Sequence, residues 1–431
     1  MGEKKGKTVL LSVLIALVAL AAVFVFVFKD FIFNKTTNLP GEPGTKQAKD
    51  SMYSQATMPD ALDKDTMEVI RVSSPEGADI PYGEDHEAGS SNVKRVYTGR
   101  RINIAVTGID GRIGVPTKHA DANHVISILL DSGKIEITSV PRDTPADAGY
   151  PEGHAQNKLT ITRAAKGREA YHKELARIAK VDRIHHWVEV GFSQVMGILE
   201  FLGYEDAGST LQVLRSRKAL GGDDYQRCYN QGQFIRQMIL RHFNKFTGFG
   251  GEVVLRGGLS IVDTDLDFET VKMILDALEK HNFPGSREDV FVKVRPPVNI
   301  KYKQYDFTDY SIMEALSGKI KRINEKKGMA DDKKRDAEVI LEKAVDKAVK
   351  DSSKSPASVI KGLGRFFEQR AWFQVKDQAE RNRLRDQVCI MLINAYGKKG
   401  EKDKARQVLL VLQNEKALFN SGASKEFRKG R

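Results

Sequence analysis

The chain has 431 residues, 41% of them hydrophobic, and a formal net charge of +12. That length supports two folded domains with accessory segments, and the charge favours an anionic partner: nucleic acid, anionic lipid or phosphorylated glycan. The two cysteines, Cys228 and Cys389, stand far apart without metal-ligand spacing, which argues against a thiolate metal site; one disulfide is open to them, and two unpaired thiols are the default expectation.

Lys4, Lys5 and Lys7 precede an uncharged run from Thr8 to Phe28. About twenty apolar residues in a helix span ~30 Å, the thickness of a bilayer core. Lysines on the N-terminal side place that end in the cytoplasm. A cleaved signal peptide has a shorter apolar stretch, of roughly 7–15 residues. The expectation is a cytoplasmic tail at 1–7 and a signal anchor at 8–28, single-pass in the cytoplasmic (inner) membrane. Everything after Lys29 then lies outside, which disfavours ATP, GTP and DNA as ligands and predicts no nucleic-acid partner. Residues 29–98 are polar and poorly periodic and read as a stalk, with room for a short strand near Met67–Val72.

The folded region is expected over 99–300. Ile102–Val106, His124–Leu130, Ile135–Val140, Ile184–Val190 and Val290–Val294 read as strands. Lys158–Lys180 reads as one long helix, with Leu159, Ala164, Ala165, Tyr171, Leu175 and Ile178 on its inner side. Phe192–Leu202 and Met273–Leu278 read as helices. Interleaved strands and helices predict an α/β or α+β sandwich. Leu211–Arg217 reads as a strand, which would point Arg215 and Arg217 the same way, ~6–7 Å apart. After a turn at Gly221-Gly222, Asp223 or Asp224 can cap a helix carrying Phe234, Ile235 and Met238. Arg227 and Gln231 are four apart on it and share a face. If these elements fold together, three guanidiniums and an amide converge, and two or three such planar forks suit a diphosphate. The plainer reading is a set of solvated arginines on a basic protein.

Asp110, Asp121, Arg142 and Asp143 fall at strand ends, where loops carry polar groups over a rigid base. Paired carboxylates suit a hard cation that bridges to phosphate. The plainer readings are turn-forming aspartates and a surface ion pair. Residues 301–336 read as a charged linker. Residues 337–420 read as a helical module, either a tetratricopeptide-type hairpin or, preferably, a plain helical bundle. It reads as an interaction or bracing segment, open to a protein partner, rather than a second active site.

With these residues laid out, Asn103 to about Pro297 resembles the LytR–CpsA–Psr family of envelope phosphotransferases. NIAVTGID is similar to N-I-L-L-L-G-x-D and sets Asp110 at the family's first acidic position. HADANHVISI is similar to R-S-D-T-x-x-x-V-S-I and sets Asp121 at the second. ITSVPRDT is similar to L-S-I-P-R-D-T and sets Arg142 at the basic position. NKLTITRA loosely matches K-I-N-x-A, led by Lys158. VLRSRK resembles Y-V-R-x-R, giving Arg215 and Arg217, and DDYQRCYNQ resembles D-x-x-R-x-x-R-Q, giving Arg227 and Gln231. The chain departs from the pattern at His119 and Asn230, where the family has arginine, and at Ala122, where it has threonine.

The resemblance implies a three-layer α/β/α domain after one transmembrane helix, followed here by a C-terminal helical region. It implies Mg²⁺ or Mn²⁺ on Asp110 and Asp121, and a diphosphate held by Arg142, Lys158, Arg215, Arg217, Arg227 and Gln231. Asp121, Arg142, Arg215 and Arg217 would carry the chemistry. The implied donor is a glycan on a polyprenyl diphosphate, and the implied acceptor is a hydroxyl of peptidoglycan or another envelope glycan. A polyprenyl-diphosphate hydrolase, a lipid-diphosphate-binding protein and a non-enzymatic envelope scaffold are the alternatives.

Overall fold

The computed structural model describes residues 69–73, 79–85, 99–111, 113, 119–217, 222–248, 250–326, 337–353 and 355–420. The expected anchor at 8–28 lies outside the described residues. Among the described residues no helix is long and apolar enough to cross a membrane.

A small antiparallel sheet joins β1 (Val69–Ser73), β2 (Asp79–Asp85) and β9 (Tyr302–Gln304) in the order β1-β2-β9. Two of these strands lie in the segment expected as a stalk, and the third lies in the segment expected as a charged linker. The main sheet holds β3 (Arg101–Asp110), β4 (His119–Leu129), β5 (Lys134–Val140), β6 (His186–Val190), β7 (Asp263–Thr264) and β8 (Val290–Val294). Its order is β7-β6-β3-β4-β5-β8. The central β3–β4–β5 meander is antiparallel, while β6 and β8 add in parallel to β3 and β5.

Alternate residues of the central strands feed two different cores, as the period of two requires. Ala105, Val125 and Val140 pack against Leu159 of α1 (Leu159–Ala165) and Tyr171, Leu175 and Ile178 of α2 (Gly167–Ala179). On the opposite face, Ile104, Ile128, Ile135 and Ile137 join Tyr229 and Phe243 of α5 (Asp224–Thr247) and Ile274 and Leu278 of α7 (Phe268–Glu279). The sheet is thus covered on both faces by helices.

The single helix expected over Lys158–Lys180 is two. The break falls at Gly167, whose φ of +85° is a left-handed conformation that favours glycine. Because of it, Ala164 and Ala165 are exposed, and Thr162 and Arg163 are buried instead. Leu211–Arg217 is not a strand either. The segment α4 (Ala207–Arg215) is helical, capped by Asp206, whose Oδ1 accepts from Ser209 N at 2.8 Å. Thr210, Val213 and Leu214 form its buried stripe at helical spacing. The pair Leu211/Val213 imitates strand alternation, and the cap Asp206, five residues before Leu211, is the local signal for a helix.

A third core is the largest. It takes Leu199 and Phe201 of α3 (Phe192–Phe201), Val213 of α4, and Val254 and Ile261 of α6 (Gly251–Ile261). The same core continues through α8 (Tyr310–Lys326), α9 (Ala337–Ser352), α10 (Pro356–Glu368), α11 (Gln378–Lys398) and α12 (Lys402–Asn420). Trp372, fully buried, sits at its middle and donates Nε1–H to Glu415 at 3.0 Å. Leu418 of α12 fills the place where Gly257 of α6 has no side chain, since a Cβ there would lie 2.6 Å from Leu418 Cβ. Residues 301–326 therefore contain a strand and a helix rather than a linker, and the C-terminal helices share one core with the sheet domain.

Candidate anion site

Three strand ends meet at one edge of the main sheet. β3 ends at Asp110, the antiparallel β4 begins beside it, and β5 ends just before Pro141 and Arg142. In the β3–β4 pairing Gly108 faces Ala122 and Ile109 faces Ala120, so Asp121 is an extra residue in a bulge. Bulges re-aim side chains beside functional sites, and this one turns Asp121 to meet Arg142. Arg142 Nη1 donates to Asp121 Oδ1 at 2.9 Å. The loop after Arg142 is strapped to the start of α1: Thr160 N donates to the Arg142 carbonyl at 3.0 Å, and Leu159 N to that of Thr144 at 2.9 Å.

The helix α5 supplies the other half. Asp223 is its N-cap, accepting from Tyr225 N and Gln226 N. That leaves the next residue, Asp224, free of capping. Its Oδ1 lies 2.6 Å from Arg227 Nη2 and 3.1 Å from Arg217 Nε, and its Oδ2 accepts from Arg142 N at 3.2 Å. One carboxylate therefore ties together three of the candidate arginines, from three separate elements. Arg227 Nη2 also donates to the Asp121 backbone carbonyl at 3.1 Å.

Arg215 completes the group at the end of α4. Its guanidinium stands 4.0 Å over the Phe192 ring, a cation–π contact. Arg215 is exposed as a residue, yet partial burial of its guanidinium lowers its pKa. Asp110 and Asp121 act against that, and Arg227 and Arg142 add to it. Arg142 shows the opposite balance: burial works against its charge, but Asp121, then Asp143 and Asp224, raise its pKa. Lys158 Nζ reaches Asp143 Oδ1 at 3.2 Å and so stands at the rim. Gln231 lies one turn past Arg227 on α5 and donates Nε2–H to the Leu214 carbonyl at 3.0 Å.

The structure thus brings Asp110, Asp121, Arg142, Arg215, Arg217 and Arg227 into one electrostatic cluster, with Gln231 and Lys158 adjoining it. Five cationic side chains face the carboxylates of Asp110, Asp121, Asp143 and Asp224. Arg142 Nε is buried without a hydrogen-bond acceptor, and Asp143 Oδ2 at 3.8 Å is too far to serve. An unfilled guanidinium donor at the centre of such a cluster is what an incoming anion would satisfy.

Asp224 is the residue that sequence reasoning passed over. The two adjacent acids looked interchangeable as caps, and nothing local shows that Arg142, 82 residues earlier, leans on one of them. Asn230 is buried and accepts from Gln226 Nε2 at 2.8 Å. Gln226 in turn clamps β9 through the N–H and carbonyl of Lys303. Position 230 therefore braces the small sheet instead of adding a guanidinium.

A cleft of about 390 Å³, lined by Arg100, Leu130, Met273 and His281 among others, lies at the opposite end of β3 and β4. It does not adjoin the arginines.

Among curated proteins no sequence matches this chain. The solved structures it is similar to include TagV of B. subtilis, at 14% identity over 52% of this chain and 99% of that one, with a TM-score of 0.37. Another is TagT of B. subtilis, at 15% identity over 54% of this chain and 96% of that one, with a TM-score of 0.33. A third is TagT bound to LIIa-WTA, at 14% identity over 55% and 96%, also with a TM-score of 0.33. The profile of the LytR_cpsA_psr family matches residues 73–203, which include Asp110, Asp121, Arg142 and Lys158 and stop short of Arg215. Over residues 73–203 the chain is thus similar to the LytR–CpsA–Psr family.

Proposed function

We propose that the protein is a membrane-anchored, extracytoplasmic phosphotransferase. It moves a phosphorylated glycan from a polyprenyl diphosphate to a hydroxyl of peptidoglycan or a related envelope glycan. The observation that carries the reading is the convergence of Arg142, Arg217 and Arg227 on Asp224, with Arg215 close by, at the sheet end where β3 closes on Asp110 and β4 carries Asp121.

In the proposed step the acceptor hydroxyl oxygen attacks the phosphorus next to the glycan. A new P–O bond forms, the bridging P–O bond breaks, and polyprenyl phosphate leaves. The acceptor proton passes to a carboxylate of the cluster or to water. Phosphoryl transfer asks the protein chiefly for charge neutralisation and alignment. Arg142, through its unfilled Nε, and Arg215 and Arg217, at the open side, would hold the phosphate oxygens. Arg227, only 6% exposed, and Asp224 would fix the others in place.

A divalent cation fits this donor set. Asp110 and Asp121 both act on Arg215, so they border the same space, and carboxylate oxygens suit Mg²⁺ or Mn²⁺. When bound, the ion would neutralise charge developing on the phosphate oxygens.

The test incubates the full chain in detergent with a glycan-charged polyprenyl diphosphate, with and without peptidoglycan. The expected products are a glycan phosphate ester on the acceptor and polyprenyl phosphate, both dependent on acceptor. Equal release of polyprenyl phosphate without acceptor would make the protein a hydrolase, and retention of intact donor would make it a binding protein.

A further inference from the structure

Along the sheet face that packs on α2, two positions break the apolar pattern just before the anion site. Thr107 of β3 and Asn123 of β4 are fully buried on the side of Ala105, Val125 and Val140. They are register partners, one pair before Gly108 and Ala122, where the bulge that frees Asp121 opens. Between them stands the Tyr171 hydroxyl, brought in by α2 and also fully buried. It lies 2.8 Å from Asn123 Oδ1 and 3.1 Å from Thr107 Oγ1. Asn123 Nδ2 in turn reaches the carbonyl of Val140, its register partner on β5, at 3.2 Å. One phenol oxygen therefore sits at the level where three strands are about to deliver Asp110, Asp121 and Arg142.

Every hydrogen bond in this chain has a fixed direction. The Val140 carbonyl can only accept, so the Asn123 NH₂ faces it and Oδ1 faces Tyr171. The phenol O–H then donates to Oδ1, and its oxygen is left to accept from the Thr107 hydroxyl. The far end of the chain bears on Arg142. Val140 shares a planar peptide with Pro141, and the proline ring fixes the next φ. Only Pro141 ψ is left to turn before the peptide of Arg142, whose side chain meets Asp121 at 2.9 Å. Asn123 also stands two residues past Asp121 on β4, so the same amide is tied to both partners of that pair.

We propose that Tyr171 is a positioning residue for the anion site: its hydroxyl orients the Asn123 amide, which holds the Val140 carbonyl and thereby the reach of Arg142 toward Asp121 and an incoming phosphate. This rests on the diphosphate reading above. Losing a phenol that meets only a structural need would cost stability alone; losing one that positions Arg142 also weakens anion binding.

The test uses the full chain in detergent, as wild type, Tyr171→Phe, Thr107→Val, Asn123→Ala and Arg142→Ala. Calorimetry reads affinity for inorganic pyrophosphate, and nitrogen-15 NMR reads the Arg142 Nε–H resonance. Tyr171→Phe keeps the ring and removes the donor to Asn123. It should bind pyrophosphate about fivefold more weakly and shift the Arg142 signal. Thr107→Val also loses a buried hydrogen bond but leaves the Tyr171–Asn123–Val140 arm intact. It should melt lower, as Tyr171→Phe does, yet keep affinity within about twofold of wild type. Asn123→Ala should reproduce the affinity loss, and it carries the test if Tyr171→Phe does not fold. In an Arg142→Ala background Tyr171→Phe should add less than about a twofold effect, since the two act through one group. Unchanged affinity in Tyr171→Phe, an equal loss in Thr107→Val, or full additivity with Arg142→Ala overturns the proposal. A wild-type protein that ignores pyrophosphate sinks the anion reading itself. The Arg142 signal then decides alone: a shift in Tyr171→Phe with none in Thr107→Val upholds Tyr171 as its positioning residue, and any other pattern overturns it.

Discussion

Arg227 is only 6% exposed and would carry an unpaired charge without Asp224 Oδ1 at 2.6 Å. Removing one partner of such a pair costs about 3–5 kcal/mol, because the other charge stays buried. Asp224→Ala should therefore lower stability by roughly that amount in a denaturant titration, and a loss under ~1 kcal/mol would show that Arg227 finds another partner. Arg217 is 34% exposed and pairs with the same carboxylate at 3.1 Å. Its removal leaves no charge stranded, since Asp224 keeps Arg227. Arg217→Ala should cut transfer by about 10²–10³-fold, the usual effect of losing one oxyanion donor, with melting nearly unchanged. Unchanged transfer by the folded variant would take Arg217 out of the mechanism. Of these residues the arginines were legible from their types and their motif spacing. Asp224 was not, because its three partners come from Arg142, Arg217 and its own helix.

The elements behind the site are held at fixed distances by small features. The α5 helix packs against β5 and β8 only because position 232 is glycine. Gly232→Ala would overpack that contact and should cost about 1–3 kcal/mol, read as a shifted denaturation midpoint; a neutral result would mean the helix can slide without penalty. The central strands of the main sheet were legible, since Val, Ile and Ala alternate toward two cores along β3, β4 and β5, whereas the two-residue β7 was not. The bulge that frees Asp121 was not, because it is a property of pairing with Gly108 and Ile109. The misreading of α4 has the same origin: a nine-residue helix with alternating apolar positions satisfies both periods, and its packing against α3 and α8 decides.

The molecule as a whole places its C-terminal helices inside the same core as α3, α4 and α6, within one compact unit from Tyr53 to Arg431. Val359, Leu363, Phe373, Leu392 and Leu418 line it, and Gln374 Nε2 donates to Ser193 Oγ at 2.7 Å, next to the Phe192 that underlies Arg215. A chain ending at residue 300 should lose cooperative unfolding, and retention of a sharp transition would show that the helices are dispensable. The charge-rich composition of 301–336 hid this, because sparse apolar residues such as Ile312, Met313, Leu316 and Ile320 carry the packing alone.

Stability should also depend on pH through the buried histidines. Burial lowers the pKa of His124 to about 4 and of His242 to about 3, against 6.5 when unfolded. The unfolded chain thus binds more protons than the folded one between those values, so stability falls as pH drops from 6.5 towards 4, by about 3 kcal/mol for His124 alone. Glu189 adds a second window. Burial would raise its pKa, but hydrogen bonds from Arg163 and Arg168 outweigh that and hold it at about 2. Its contribution is present above 4.5 and is lost as pH falls towards 2. Thermal melts across pH 7 to 4 that show no decline would contradict the buried neutral histidines.

The most direct test of the cradle is a titration of the full chain in detergent with a short polyprenyl diphosphate, read by calorimetry for wild type and Arg142→Ala. The account predicts saturable binding that weakens at least about tenfold in the variant and at high salt. Equal affinity in both proteins, or binding only of the alcohol with no diphosphate, would contradict it.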